Sequence, residues 1–198
     1  MITEPRTRYG GWIETFTGVH FWPLDPRPED IRIEDIAHAL ANICRFNGHT
    51  SRHYSVSEHS VICAQYAQAM GWPEEVQLAC LMHDASEAYL CDIPSPIKPY
   101  LQGYAEAEDR LQEMIWQWAG IYVTIGMLDK IKEADLAALN LEACMLLPEH
   151  CWAVMPELPP QLSPLTPFAQ VSLLRDWERS FLLRHRLLTT RIVPTIKI

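Results

Sequence analysis

The 198-residue sequence has no apolar run near the roughly 20 residues that a membrane-spanning helix requires. Its first residues, MITEPRTRYGG, lack the apolar stretch of a secretory signal, so we expect no signal peptide. Basic residues are also few: 16 Lys and Arg stand against 25 Asp and Glu, a net charge of −9. Because phosphate backbones are held by dense basic side chains, this balance argues against a DNA- or RNA-coating protein. We expect a cytoplasmic protein that neither enters a membrane nor binds nucleic acid.

The six cysteines include no C-x-x-C pair, which argues against a zinc ribbon or a thioredoxin-type redox motif. Most of them lie among apolar residues at helical spacing, where a free thiol behaves as a small hydrophobic side chain. We therefore predict reduced core thiols. The six are Cys44, Cys63, Cys80, Cys91, Cys144 and Cys151.

Three- and four-residue apolar spacing dominates the chain and predicts one all-α domain over residues 1–198, with a core at about 30–150. Residues 1–30 and the proline-rich segment 148–167 are predicted to be irregular. Segments 12–22 and 191–198 could be extended, but neither indicates a strand pair. The first helix is predicted from Ile33 until Asn47-Gly48 ends it. Ser55-Val56-Ser57-Glu58 has the form of a capping box, with Ser55 as the N-terminal cap of a second helix that runs to about Met70. Further helices are predicted from Pro73 through His83 and over about 105–119, 127–147 and 168–188.

Charged residues within apolar helical segments are the main chemical signal. His83 and Asp84 lie in LACLMHDASEAYL, and Glu87 would share the helical face of His83. A carboxylate there is costly unless it is paired or binds a metal. Asp135 lies among Ala and Leu in a later helix, and His59 lies in the first turn of the second. Two imidazoles and two carboxylates suit Mn²⁺, Co²⁺, Zn²⁺, Fe²⁺ or Mg²⁺; the alternative is separate, hydrogen-bonded polar residues.

These residues resemble the pattern of the HD-domain metal-dependent phosphohydrolases, a helical-bundle family. The resemblance implies that His59, His83, Asp84 and Asp135 are the metal ligands. It extends to bacterial 5′-deoxynucleotidases and phage-type deoxynucleoside triphosphate triphosphohydrolases through three further segments, and to a prophage branch. The segments are the arginine fourteen residues before the first ligand (Arg45), HDASEAYLCDIPSPIK and KEADLAALNLE, which holds Glu142. Together they cover about residues 30–150.

The resemblance also implies roles around the metal. Glu87 is expected to orient or deprotonate the attacking water, and Asp92 to protonate the leaving 5′-oxygen. Arg45 and Lys98 are the expected phosphate-binding cations. As alternatives, Arg45 and Lys98 could be solvated surface charges, and Glu87 and Asp92 could cap helix ends or form salt bridges. Substrate contacts are further expected from Pro96 and from Phe46, which stands where the deoxynucleotidases have a tryptophan that packs near the sugar.

The function expected from this resemblance is hydrolysis of the 5′-phosphoester of a small nucleotide by a homo-oligomeric enzyme. Cleavage of the same bond in a triphosphate, with release of triphosphate, is the first alternative, because both reactions break one O–P bond. A non-catalytic, metal-holding nucleotide sensor is the second. Few basic residues lie near the motifs, which favours a substrate with a single phosphate.

Overall fold

The computed structural model describes residues 8–148 and 176–192, and within these ranges the chain is all-α, as predicted. Residues 8–32 are mostly irregular, apart from a hairpin of two-residue strands in which Ile13 faces Phe21. The prediction of no strand pair was therefore wrong, and the hairpin closes through the Thr15–Gly18 turn, where Gly18 has a positive φ. The elements are β1 Ile13–Glu14, β2 His20–Phe21, α1 Ile33–Asn42, α2 Val56–Ala69, α3 Glu74–Leu81, α4 Glu87–Leu90, α5 Tyr104–Trp118, α6 Ile125–Leu146 and α7 Trp177–Ile192.

Helix α2 is the central element, packed against α1, α3, α6 and α7. It is buried around most of its circumference, which explains why its sequence shows no single apolar stripe. The predicted N-terminal cap is confirmed, because the Ser55 side chain accepts a hydrogen bond from the Glu58 backbone N–H at 3.2 Å. Any polar side chain on its first turn therefore points into the protein interior.

The first helix ends at Asn42, five residues before the predicted Asn47-Gly48 stop. Its continuation is prevented by pairing with another stretch of chain: the Arg45 N–H donates to the Tyr54 carbonyl at 2.9 Å, and the Val56 N–H to the Ile43 carbonyl at 3.1 Å. These bonds close residues 43–56 into a loop. As a result, Arg45 lies beside Tyr54 at the start of α2.

The third helix does not run through His83, and this prediction was wrong. Helix α3 ends at Leu81, residues 83–86 form turns, and the short α4 begins at Glu87. The Ser86 N–H donates to the side chain of Gln112 on α5, at 3.0 Å, instead of to a carbonyl of its own helix. Glu87 and His83 therefore do not share a face of one continuous helix.

The later helices agree with the sequence predictions to within a few residues, except at the start of the last. Helix α7 is described from Trp177 and continues to Ile192 rather than stopping at 188. Residues 168–175, where the last helix is predicted to begin, lie outside the described residues, as do the proline-rich segment after residue 148, Cys151 and residues 193–198. None of the helices that the structure describes combines the length and apolar character needed to cross a membrane.

Candidate metal centre

Four side chains predicted from different parts of the sequence meet at one point. The Nε2 of His59 lies 3.3 Å from the Nε2 of His83, 3.5 Å from an Asp84 oxygen and 3.1 Å from an Asp135 oxygen. The Nε2 of His83 lies 3.1 Å from the same Asp84 oxygen and 3.9 Å from the Asp135 oxygen. Ligands about 2.1 Å from one metal ion are themselves about 3 to 3.5 Å apart. The spacing of these donor atoms therefore fits a single divalent cation.

The electrostatics of the cluster also suit a cation. Burial would raise the pKa of Asp84, but the neighbouring His83, His59 and Arg45 outweigh burial and lower it. The pKa of Asp135 is lowered as well, chiefly by His59 against the effect of burial. Both carboxylates are thus ionised and able to bind a metal. Asp135 is 43% exposed whereas His59 is fully buried, so the cluster opens to solvent on one side.

His59 is oriented by a buried carboxylate on α6. Its Nδ1 lies 2.6 Å from Glu142 Oε1, which also accepts a hydrogen bond from the Tyr54 hydroxyl at 2.8 Å, and Arg45 Nε donates to the other oxygen at 3.2 Å. Burial would raise the pKa of Glu142, but His59, Arg45 and Tyr54 lower it. A carboxylate on Nδ1 leaves Nε2 free for a metal, the arrangement typical of metal-binding histidines.

His83 is oriented in a different way, by the backbone. Its Nδ1 lies 2.8 Å from the carbonyl oxygen of Cys80. A carbonyl can only accept, so Nδ1 carries a proton and Nε2 is the nitrogen that faces the cluster. Both histidines therefore direct Nε2 at the cluster with the other ring nitrogen held, which is the orientation that a metal ligand requires.

Cys63 offers a competing ligand, since its sulfur and one ring nitrogen each of His59 and His83 lie within 4.8 Å of one another. The sulfur lies 3.5 Å from His59 Nε2 and 4.0 Å from Nδ1. A sulfur sharing a metal with Nε2 would be much farther from Nδ1, because the lone pair points away from the ring. Burial raises the pKa of the Cys63 thiol to about 11. The two-histidine, two-carboxylate set is therefore the better ligand set.

Glu87 and Asp92 lie beside the cluster, on the segment that follows His83. Glu87 is buried, and its Oε2 has no hydrogen-bond partner among the described residues. Burial first, and then Asp84 and Asp92, raise the pKa of Glu87 to about 10. Burial also raises the pKa of Asp92, against the opposing charge of Arg45. Perturbed carboxyl pKa values in a cleft are typical of acid–base chemistry.

Neither of the two expected phosphate-binding cations is a solvated surface charge. Arg45 lies 3.5 Å from an Asp84 oxygen in addition to its bond with Glu142. Lys98 Nζ lies 2.8 Å from Glu108 and 3.6 Å from Glu87. Both cations are therefore next to the cluster, and both are already neutralised by carboxylates.

The two remaining expected substrate contacts lie at different places. The Arg45 guanidinium carbon is 5.7 Å from the centre of the Phe46 ring, so Phe46 borders the site. Phe46 and Asn47 both have positive φ, and this tight turn directs the chain back towards α2. Pro96 is exposed, with no contact to the four ligands among the interactions described.

The side chains that orient the ligands were not predicted from the sequence. Glu142 was noted only as part of a motif, and no role was inferred for Tyr54 or Gln112. A buried glutamate seven residues after Asp135, two helical turns along the same face, is a spacing from which a second carboxylate near the metal could have been inferred. No sequence signal indicates Gln112, because its partners are backbone atoms of a distant segment.

Comparison with known proteins finds uncharacterised relatives. No protein-family model matches the sequence. The chain is 42% identical to "Uncharacterized protein YfdR" of Escherichia coli (strain K12) over 131 residues, which are 66% of this chain and 70% of that protein. It is 40% identical to "Uncharacterized protein RCAP_rcc00048" of Rhodobacter capsulatus over 139 residues, 67% of this chain and 71% of the relative. The chain therefore belongs to the family that contains YfdR and RCAP_rcc00048.

Proposed function

We propose that this protein is a metal-dependent phosphohydrolase of the HD-domain type, and that it removes the 5′-phosphate of a nucleoside monophosphate, with deoxynucleotides as the preferred class. The observation that carries the proposal is the meeting of His59, His83, Asp84 and Asp135 at ligand spacing, with one side open to solvent. Catalytic metal sites differ from structural ones in this open side.

The metal would be held by the two Nε2 atoms and the two aspartates. A divalent cation there supplies Lewis-acid polarisation of a phosphoryl oxygen and lowers the pKa of water. Glu142 keeps His59 in the tautomer that binds, and the Cys80 carbonyl does the same for His83.

The protein's own groups move the protons. Water attacks phosphorus and passes a proton to Glu87, whose Oε2 is buried and has no hydrogen-bond partner among the described residues. Burial, Asp84 and Asp92 raise the pKa of Glu87. A cation bound to Asp84 would offset the charge of that carboxylate, and so favour the deprotonated form of Glu87 that accepts the proton. The bond between phosphorus and the 5′-oxygen breaks, and Asp92, whose pKa is raised by burial, gives that oxygen a proton. The products are phosphate and a nucleoside.

The charge balance near the cluster favours one phosphate over three. Among the described residues, Arg45 and Lys98 interact with Asp84, and both are paired with carboxylates. Arg52, on the loop before α2, is paired with Glu58. A triphosphate chain carries about four negative charges and would require free cations to hold it. A single phosphate carries about half that charge and requires fewer free cations beside a bound metal ion.

The test is product release from a panel of ribo- and deoxynucleoside mono- and triphosphates with Mn²⁺, Co²⁺ or Mg²⁺. We expect phosphate from deoxynucleoside monophosphates, and a loss of at least about 10³-fold in Asp84→Asn, which removes a charged ligand. Asp109→Asn, at an exposed position on α5, is the matched control.

Two results would contradict the proposal. Release of triphosphate from a deoxynucleoside triphosphate would make the protein a triphosphohydrolase. No turnover of any nucleotide by protein shown to contain the metal would support a sensor that binds nucleotides without hydrolysing them.

A further inference from the structure

The turn that carries His83 and Asp84 is held in a non-helical conformation by hydrogen bonds to a side chain of α5. In a regular helix the Ser86 N–H would donate to the carbonyl of Met82, four residues earlier. Here the Gln112 side chain stands between them: its amide N–H₂ donates to the Met82 carbonyl at 2.7 Å, and its oxygen accepts from the Ser86 N–H at 3.0 Å. Only one orientation of the amide satisfies both partners. Gln112 thus replaces one helical hydrogen bond with two of its own.

This replacement matters for the ligands because consecutive residues on a regular helix diverge by about 100°. His83 and Asp84 are consecutive, yet His83 Nε2 lies 3.1 Å from Asp84 Oδ2. Here the backbone leaves the helical path at residues 83–86, and both side chains face one point. Gln112 is buried and its amide has both partners, so it holds that departure in place.

Two more residues on the same face of α5 hold the segment that follows. Tyr104, Glu108 and Gln112 are spaced four residues apart, one above the other along the helix. The Tyr104 hydroxyl donates to the Cys91 carbonyl at 2.9 Å, and Glu108 accepts from Lys98 Nζ at 2.8 Å. Cys91 has φ 72° and ψ 153°, a conformation that almost only glycine adopts. Its strained backbone directly precedes Asp92.

We propose that Tyr104, Glu108 and Gln112 form a positioning face on α5 that holds residues 82–98 in the shape that brings ligands and acid–base groups together. None of the three is a catalytic residue; each acts through the segment that it holds. The inference rests on the proposed function for its effect on metal binding and turnover, and on the hydrogen bonds alone for its effect on the segment's shape.

The test replaces Gln112 with a side chain of equal length that has no amide. Gln112→Met should let the Ser86 N–H return to the Met82 carbonyl and turn Asp84 away from His83. We expect Mn²⁺ to bind about 10- to 100-fold more weakly by calorimetry, and the exchange rate of the Ser86 amide to change. Gln117→Met, the same change at an exposed position five residues later, should alter neither. Unchanged Mn²⁺ affinity and unchanged exchange in Gln112→Met would overturn the proposal.

A second variant separates the two ends of the face and avoids a burial penalty. Tyr104→Phe removes one hydroxyl at a partly exposed position, so folding should be retained. We expect kcat to fall about 10-fold because Asp92 loses its fixed position, while KM and the Mn²⁺ affinity stay within about 2-fold of the native values. Amide exchange at Asp92 should rise. Unchanged kcat and unchanged exchange would show that Tyr104 does not position Asp92.

Failure of this inference can be told from failure of the proposed function. If the native protein binds Mn²⁺ but hydrolyses no nucleotide, the proposed function fails and the affinities still decide the role of Gln112. If it binds no metal, hydrogen exchange over residues 83–92 decides alone. If Gln112→Met does not fold, Gln112→Glu takes its place in the test. Gln112→Glu keeps the acceptor for the Ser86 N–H, so its loss of Mn²⁺ affinity should be smaller. Unchanged Mn²⁺ affinity and unchanged amide exchange in Gln112→Glu would overturn the inference.

Discussion

The two histidines of the candidate metal centre are placed by opposite means. His59 lies in the first turn of the regular, capped helix α2, and a buried carboxylate on α6 orients it. His83 lies where a helix is interrupted, and a backbone carbonyl of its own chain orients it. The half of the site that contains His59 depends on side chains and their charges, whereas the half that contains His83 depends on the shape of the backbone. The first half should therefore respond to the removal of charge, and the second to changes in the hydrogen bonds that hold the backbone.

The largest expected effect lies in the half that contains His83. Glu87→Gln should slow turnover by about 10²- to 10⁴-fold, since the group that accepts the proton is lost. Mn²⁺ affinity should stay within about 3-fold, because Glu87 is not among the ligands; steady-state kinetics and calorimetry measure the two. The stability of the metal-free protein should change little, since burial and Asp84 raise the pKa of Glu87 to about 10 and keep it protonated when no cation is bound. Full activity of this variant would exclude Glu87 as the base.

The half that contains His59 is tested by removing the charge behind it. Glu142→Gln should weaken Mn²⁺ binding about 10- to 100-fold, because the carboxylate fixes the tautomer and raises the basicity of His59. It should also lower the free energy of unfolding by about 2 kcal/mol, because Arg45 loses a buried charged partner. Glu133→Gln, at an exposed position on the same helix where the carboxylate accepts from Tyr66, is the control. Equal metal affinity in both variants would mean that Glu142 does not support the ligand.

The strain at Cys91 gives a smaller effect on stability. Cys91→Gly should raise the free energy of unfolding by about 1 kcal/mol, because glycine adopts a positive φ without steric cost. The gain is no larger because glycine also increases the conformational entropy of the unfolded chain. Urea unfolding under reducing conditions measures the change. Cys91→Ala keeps the strained conformation, so its stability should stay within about 0.5 kcal/mol of native. A less stable glycine variant would show that the Cys91 side chain, and not its backbone, matters there.

The smallest expected effect concerns the thiol near His59. Cys63→Ser should leave Zn²⁺ affinity within about 3-fold of native, because the sulfur does not lie along the His59 lone pair. Zn²⁺ is the right probe since it prefers sulfur ligands. Cys80→Ser, at another buried cysteine, controls for the cost of burying a hydroxyl. A loss of about 100-fold in Cys63→Ser alone would make sulfur a ligand and contradict the two-carboxylate set.

The sequence was informative about elements whose signals are local. The all-α class, the Ser55 cap and most helix bounds follow from periodicity and capping, which are read within a few residues. The types of residue that could bind a metal were also evident, because charged groups in apolar helices need partners. The hairpin was missed because its strands have only two residues each.

The sequence by itself determined which residues have metal-binding chemistry, and that His59 and Asp135 lie on helices. Only the tertiary structure decided that His83 and Asp84 face the same point as His59. That outcome depends on Gln112, 28 residues after Asp84 along the chain, taking the hydrogen bonds that a helix would otherwise make for itself. Local propensity favours a continuous helix through LACLMHDASEAYL. The interruption of that helix cannot be predicted from the segment alone, because the hydrogen bonds that cause it come from Gln112 on α5.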